Sequence, residues 1–152
     1  MGIICNVHGQ TLCVLSQAWQ PGAMPFFRRQ DPIATELEAL GFARDAAQRL
    51  ARQGTVLRLR DGATLCTEGE LGRQAFVLLD GDARVLVGSG VVTIGAGEVV
   101  GEIATLDPRR TRNATVLASG QVDVLVFDAR AFRDLADDPA LRPLLAPERT
   151  AA

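Results

Sequence analysis

The chain has 152 residues, 47% of them hydrophobic and 22% charged, with a net charge of −2. That balance suits one globular domain built on one core and excludes a long disordered chain, while the negative charge argues against a general nucleic-acid binder, which needs a basic surface to release counterions. There is no lysine and no tyrosine, and His8 is the only histidine, so a Walker lysine, Schiff-base chemistry and a multi-histidine zinc site are excluded, and Ser-His-Asp chemistry would have to run through His8 alone.

Residues 1–30 read as a low-charge N-terminal extension. No Asp, Glu, Lys or Arg precedes Arg28. A secretory leader needs a positive region before its apolar run, and none is present. Polar residues such as Asn6, His8, Gln10 and Gln17 interrupt the apolar stretches, so a membrane-spanning helix is not expected. Cys5, Cys13 and Cys66 form an odd set without paired spacing, which fits free thiols in a reducing compartment. Cys5, His8 and Cys13 lie close together, but their spacing matches no zinc motif and a fourth ligand is missing. The expectation is a cytoplasmic protein with no metal and no cofactor. Trp19 receives no role.

Residues 31–53 read as a helical flank. Asp31-Pro32 pairs an N-cap acid with a first-turn proline. Ile33, Leu37 and Leu40 then recur at helical spacing up to Gly41. A second helix is predicted from Ala43 to Arg52, with Ala47 and Leu50 inward and Gly54 as its stop.

After Gly54 the period changes to that of strands. Thr55–Leu59 is followed by the turn Asp61-Gly62, then Thr64–Cys66, a turn at Glu68-Gly69, and the apolar run Ala75–Leu79. Asp80-Gly81 reads as a hairpin before Ala83–Val87. Gly88-Ser89-Gly90 turns the chain into Val91–Ile94. Two more strands are predicted, Ala114–Ala118 and Val122–Phe127, around Ser119-Gly120. Short strands with glycine turns roughly every ten residues indicate a sandwich or jelly roll. Two helices should close the chain, Ala129–Ala136 and Pro139–Leu145, with Pro143 and Pro147 preventing a long terminal helix. The fold class is therefore mainly β: a jelly-roll β-barrel of the double-stranded β-helix type over residues 54–147, with flanking N- and C-terminal helices.

One segment breaks the strand rhythm. Gly95 and Gly97 make a tight turn, Val99 and Val100 are strand-like, and Gly101-Glu102 opens a short helical turn. A helix start offers unpaired backbone N–H groups, and a glycine lets a ligand approach them. Ten positions on, Arg112 precedes a strand, and a fixed guanidinium facing such a turn grips an anion. Glu102 has to face away from that anion, where a carboxylate suits a pair of sugar hydroxyls. The plainer readings are a favourable charge at a helix start for Glu102 and a solvated strand residue for Arg112. Arg109 and Arg110 read as loop surface, and no activated nucleophile stands out.

Gly101-Glu102-Ile103-Ala104 followed by Arg112-Asn113-Ala114-Thr115-Val116 resembles the phosphate-binding cassette of cyclic-nucleotide-binding domains, as found in catabolite activator proteins and regulatory subunits of the cAMP-dependent kinase. Gly62, Leu65, Glu68-Gly69, Gly72, Phe76, Leu78, Gly81, Gly95 and Gly97 match the family's turn and strand markers. The resemblance spans about Gly54 to Leu145. It implies that Glu102 accepts the ribose 2′-hydroxyl, that Arg112 binds the cyclic phosphate, and that backbone N–H groups near Ile103 and Ala104 complete the seat. It further implies that Val99, Val100 and Val85 pack on ribose and base, and that Asn113 and Ala114 complete the ligand-binding set. Asn113 departs from the Ala, Ser or Thr usual in the family, and the long helix that normally follows the barrel is interrupted by proline. The implied function is a non-catalytic, stand-alone module that binds cAMP, ahead of cGMP, and signals through a protein partner or as a homodimer. No direct nucleic-acid or membrane contact is expected. The alternative is a degenerate barrel that has lost nucleotide binding and serves as a protein-interaction domain.

Overall fold

The computed structural model describes residues 31–146. The N-terminal extension with Cys5, His8, Cys13 and Trp19, and Pro147 at the other end, lie outside the described residues. Two helices, α1 (Pro32–Ala39) and α2 (Arg44–Gln53), lead into six strands: β1 (Thr55–Leu59), β2 (Thr64–Cys66), β3 (Gln74–Val87), β4 (Gly90–Ile94), β5 (Val99–Val100) and β6 (Thr115–Asp128). A short helix, α3 (Glu102–Leu106), sits between β5 and β6, and α4 (Ala129–Ala136) and α5 (Arg142–Leu145) follow. The expected cap at Asp31 is present, its carboxylate accepting a hydrogen bond from the Ile33 amide at 3.1 Å, and the structure adds a second cap, Asp128 on α4, accepting from the Ala131 amide at 2.8 Å.

The sheet is organised by its two long strands. β3 and β6 pair antiparallel along their whole length, from Gln74 opposite Asp128 to Leu86 opposite Thr115. Each then takes two further neighbours: β6 pairs β2 near Val116 and β1 from Val122 to Val126, and β3 pairs β5 at Phe76 and Val77 and β4 from Ala83 to Val87. All pairs are antiparallel, in keeping with a jelly roll.

Two expected turns are bends instead. Asp80-Gly81 is not a hairpin, and Ser119-Gly120 does not divide two strands; both lie inside continuous strands where the β3–β6 register shifts, between Leu78 and Asp82. Such a bulge kinks a strand and increases its twist, so the shared sheet rolls over on itself. Gly81 makes this possible: its φ is +84°, and a Cβ there would lie 2.5 Å from the Gln121 carbonyl oxygen. A third difference concerns the last helix, which begins at Arg142 rather than Pro139. The Asp138 carboxylate accepts from the Ala140 amide at 2.7 Å, making a side-chain turn that delays it.

Rolling the sheet creates two cores. Ala75, Val77, Leu79, Leu125 and Phe127 face the helices and meet Leu37, Ala47, Leu50, Phe132 and Leu135. Phe76, Leu78, Ala83, Val116, Val122 and Val124 face the interior of the roll, with Leu65 and Cys66. The unbroken apolar run Ala75–Leu79 follows from this, because that half of β3 is covered on both sides. Among the described residues, no helix is long and apolar enough to cross a membrane.

Candidate functional site

The Gly95–Leu106 segment folds tightly against β3. The Gly97 amide donates to the Leu78 carbonyl at 2.8 Å, and the Leu78 amide to the Glu98 carbonyl at 3.0 Å. β5 then delivers the chain to Gly101, whose φ is +82° and which N-caps α3 without a side chain. The first amides of α3, on Glu102, Ile103 and Ala104, precede the first intrahelical donor, Thr105, whose amide reaches the Gly101 carbonyl at 3.3 Å. They are available to an anion.

Arg112 closes the other side. Its backbone is pinned to the loop before β3: its amide donates to the Glu70 carbonyl at 2.7 Å, and its carbonyl accepts from the Gly69 amide at 2.9 Å. Its side chain runs inward and is only 7% exposed. Nη1 donates to the Gly101 carbonyl at 2.5 Å, and Nη2 donates to the Gln74 carbonyl. The buried Thr105 hydroxyl lies 2.7 Å and 2.8 Å from the same two carbonyls. Nη1 also donates to the Thr105 hydroxyl oxygen at 3.4 Å, so the guanidinium straps β3 to α3 and keeps the Nε N–H and one Nη2 N–H for a ligand. Gly101 is required for this approach: a Cβ there would collide with Nη1. Outside this knot, Arg133 of α4 donates from Nε to the Thr105 carbonyl at 2.9 Å.

Glu102 is also only 7% exposed. Among the described residues, neither Glu102 nor Arg112 belongs to an ion pair. Both border one half-open cavity of about 70 Å³. Among the described residues no fully buried side-chain N or O is left without a hydrogen-bond partner, so what the cavity offers is a carboxylate and a guanidinium bordering one space without partners of opposite charge, an arrangement that suits a ligand carrying both a hydroxyl and an anion. On its far side Arg112 also borders an open groove edged by Leu65, Glu70, Leu71, Arg73 and Gln74.

Nine of the ten residues named from the sequence line the cavity: Val85, Val99, Val100, Gly101, Glu102, Ile103, Arg112, Asn113 and Ala114. Ala104 does not; it is a buried residue of α3 itself, with its carbonyl against Gly72. Asn113 is exposed and stands at the rim, so its bulk does not fill the space. Sequence reasoning missed Cys66, Val87, Ile94 and Val116 in the lining. The signal for Val87 was present in its alternation with Val85, since positions two apart on a strand share a face. Burial pushes the Cys66 thiol up to about 11, and the nearby Arg112 charge only partly opposes this. Among the described residues, no cluster of His, Cys, Asp and Glu is arranged to hold a metal ion.

Comparison with known proteins adds the following. The family model described as "Cyclic nucleotide-binding domain" matches residues 56–138. The Pycsar effector protein PaPycTIR of Pseudomonas aeruginosa is 38% identical over 94 residues, which cover 61% of this chain and 30% of that protein. The chain thus spans less than a third of that relative. Among solved structures, cAMP-bound PfPKA-R (141-441) is 26% identical with a TM-score of 0.63, over 77% of this chain and 42% of that one. PKAR CBD2 with Sp-2Cl-cAMPS bound is also 26% identical, with a TM-score of 0.61, over 72% of this chain and 76% of that one.

Proposed function

The chain belongs to the cyclic nucleotide-binding domain family, and from that premise we propose that it is a non-catalytic regulatory module that binds cAMP in preference to cGMP. The observation that carries this reading is the pairing of Glu102 and Arg112 as buried groups without ion-pair partners on one cavity. The cyclic phosphate is held by the unused N–H groups of Arg112 and the first amides of α3, and the ribose 2′-hydroxyl donates to Glu102. Val85, Val87, Ile94 and Val116 offer the base an apolar wall. Such a wall supports adenine over guanine, whose extra polar edge would find only Asn113 at the rim. The cAMP and cAMP analogue bound in the two solved neighbours agree with this preference.

The lining supports binding rather than turnover. Its one thiol, Cys66, stays protonated at neutral pH, and the adjoining Thr105 hydroxyl is occupied by two carbonyls. Neither is an activated nucleophile. Residues 54–147 form the binding unit and residues 31–53 its helical flank, and the module acts in the cytoplasm through a protein partner or a second copy.

Titration calorimetry and thermal shift on the full chain test this. The expected result is one-site binding, tighter for cAMP, with the nucleotide recovered intact. Neither heat nor a shift with millimolar cAMP or cGMP would refute the sensor reading and leave the interaction-domain alternative. Tighter cGMP binding would reverse the base preference.

A further inference from the structure

Arg112 forms a wall between two spaces. One is the cavity that Glu102 borders, and the other is the open groove behind it, of about 440 Å³. The two ends of its guanidinium divide between them. Nη1 donates to the carbonyl of Gly101, a cavity residue, and Nη2 donates to the carbonyl of Gln74, a groove residue. Nη2 keeps one further N–H beyond that bond. A nucleotide phosphate would use Arg112 from the cavity, which leaves the groove without a role.

The charge of the groove comes from that side chain. Arg112 is nine-tenths buried, and among the described residues no carboxylate pairs with it. Glu70 and Arg73 also border the groove, both exposed and neither in an ion pair among the described residues. Their charges oppose each other, so the lining keeps the positive charge of Arg112. Glu70 meets Arg112 through its backbone, where its carbonyl accepts from the Arg112 amide at 2.7 Å. A buried cation without a counter-ion, reachable from an open groove, is the complement of a carboxylate. The rest of the lining sets the company of that carboxylate. Leu65 is buried and Leu71 is 59% exposed, which gives an apolar side chain a place beside the acid.

We propose that this groove is a second anion site, which takes an acidic residue with an apolar neighbour from a protein partner. The carboxylate accepts from the free Nη2 N–H of Arg112 and from Arg73. Anions on the two sides then draw on one guanidinium charge, so the partner and the cyclic nucleotide weaken each other's hold by the same factor. That coupling rests on the function proposed above, whereas the groove site itself does not.

The probe is the peptide acetyl-Leu-Glu-Leu-amide at millimolar concentration, against its Gln counterpart, on the full chain. Arginine Nε–H signals in proton–nitrogen correlation spectra read the contact without any nucleotide, with Arg112 assigned by the signal lost in Arg112→Lys. The Glu peptide should shift the Arg112 signal and the Gln peptide should not. Arg73→Gln, at an exposed position outside the nucleotide cavity, should weaken the Glu peptide at least threefold. Glu70→Gln should tighten it. Both variants should keep the cAMP affinity of wild type within twofold. Saturating Glu peptide should raise the Kd for cAMP severalfold in wild type. No shift with the Glu peptide overturns the site, as do equal shifts with both peptides. A shift indifferent to Arg73→Gln and Glu70→Gln also overturns it, because the peptide would then sit in the nucleotide cavity. A cAMP Kd unmoved by bound peptide overturns the coupling. Peptide binding without cAMP binding would sink the functional reading alone, and cAMP binding without a peptide response would sink the groove site alone.

Discussion

Gly101→Ala is the most informative single perturbation, because two separable effects meet at that position. The residue adopts φ +82°, a left-handed conformation that costs a residue with a Cβ about 1–2 kcal/mol. The added Cβ also runs into Nη1 of Arg112 and comes within 3.3 Å of the Cys66 sulfur. The guanidinium must then leave the Gly101 and Gln74 carbonyls, a loss of about 1.5–3 kcal/mol for hydrogen bonds from a charged donor. The total destabilisation is about 2.5–5 kcal/mol. The two parts are separated by a double-mutant cycle with Arg112→Ala, read by urea unfolding followed by circular dichroism. With Arg112 already removed there is nothing to displace, and Gly101→Ala should cost only the conformational part. The coupling energy should therefore be about 1.5–3 kcal/mol. If Gly101→Ala costs the same in both backgrounds, to within about 0.5 kcal/mol, the guanidinium does not occupy the space above Gly101 and the proposed phosphate seat is misplaced.

Arg112→Ala should weaken cAMP binding by about 1.5–3 kcal/mol, roughly 10- to 150-fold, and unchanged affinity in calorimetry would show that the phosphate lies elsewhere. Glu102→Gln should lower affinity by about tenfold by weakening the hydrogen bond to the ribose. Because it removes a buried charge with no ion-pair partner, it should leave the melting temperature of the free protein unchanged or raise it; a clear loss of stability would mean that the carboxylate has a structural partner. Cys66 should alkylate slowly. In a Cys5→Ser/Cys13→Ser background, a rise from 9.0 to about 11 leaves on the order of 100-fold less thiolate at pH 8 than in the unfolded chain, and equal iodoacetamide rates in native and denatured protein would contradict this. Acid should weaken the fold through Asp123 and Asp138, whose carboxyls are held low mainly by hydrogen bonds from Arg58 and Arg49. Stability from carboxylates shifted in that direction is present above the ordinary carboxylate value and is lost as pH falls through the lowered one. Melting temperature should thus drop below about pH 4, less steeply in Asp123→Asn.

Local chemistry was legible in the sequence, and pairing over distance was not. The N-cap at Asp31, the helix Ala129–Ala136 and the Gly101-Glu102 helical turn follow from residues within a few positions of each other, and all three are present. Asp80-Gly81 carries the local signature of a hairpin, but a hairpin forms only if its flanks pair with each other. Here both flanks pair with β6, and nothing near residue 80 encodes that choice. The same limit applies to the site. Glu102 and Arg112 stand at a family spacing and could be named together. Cys66, Val87, Ile94 and Val116 come from β2, β3, β4 and β6, and only the sheet register makes them neighbours. The short bonds from Arg112 to backbone carbonyls were equally hidden, because a carbonyl's availability depends on which strand lies beside it.

The end-to-end pairing of β3 with β6 also bears on how the chain reaches its native state. Gln74 must find Asp128 and Leu86 must find Thr115, with the whole β4–α3 excursion looped out between them. Loops of that length close at an entropic cost before any contact repays it. Folding should therefore run on the milliseconds-to-seconds scale of non-local β proteins, not the microseconds open to α1 and α2. Until that pairing forms, neither the valine wall nor the strap around Gly101 exists. A ligand added during refolding should accordingly leave the folding rate unchanged and slow only unfolding.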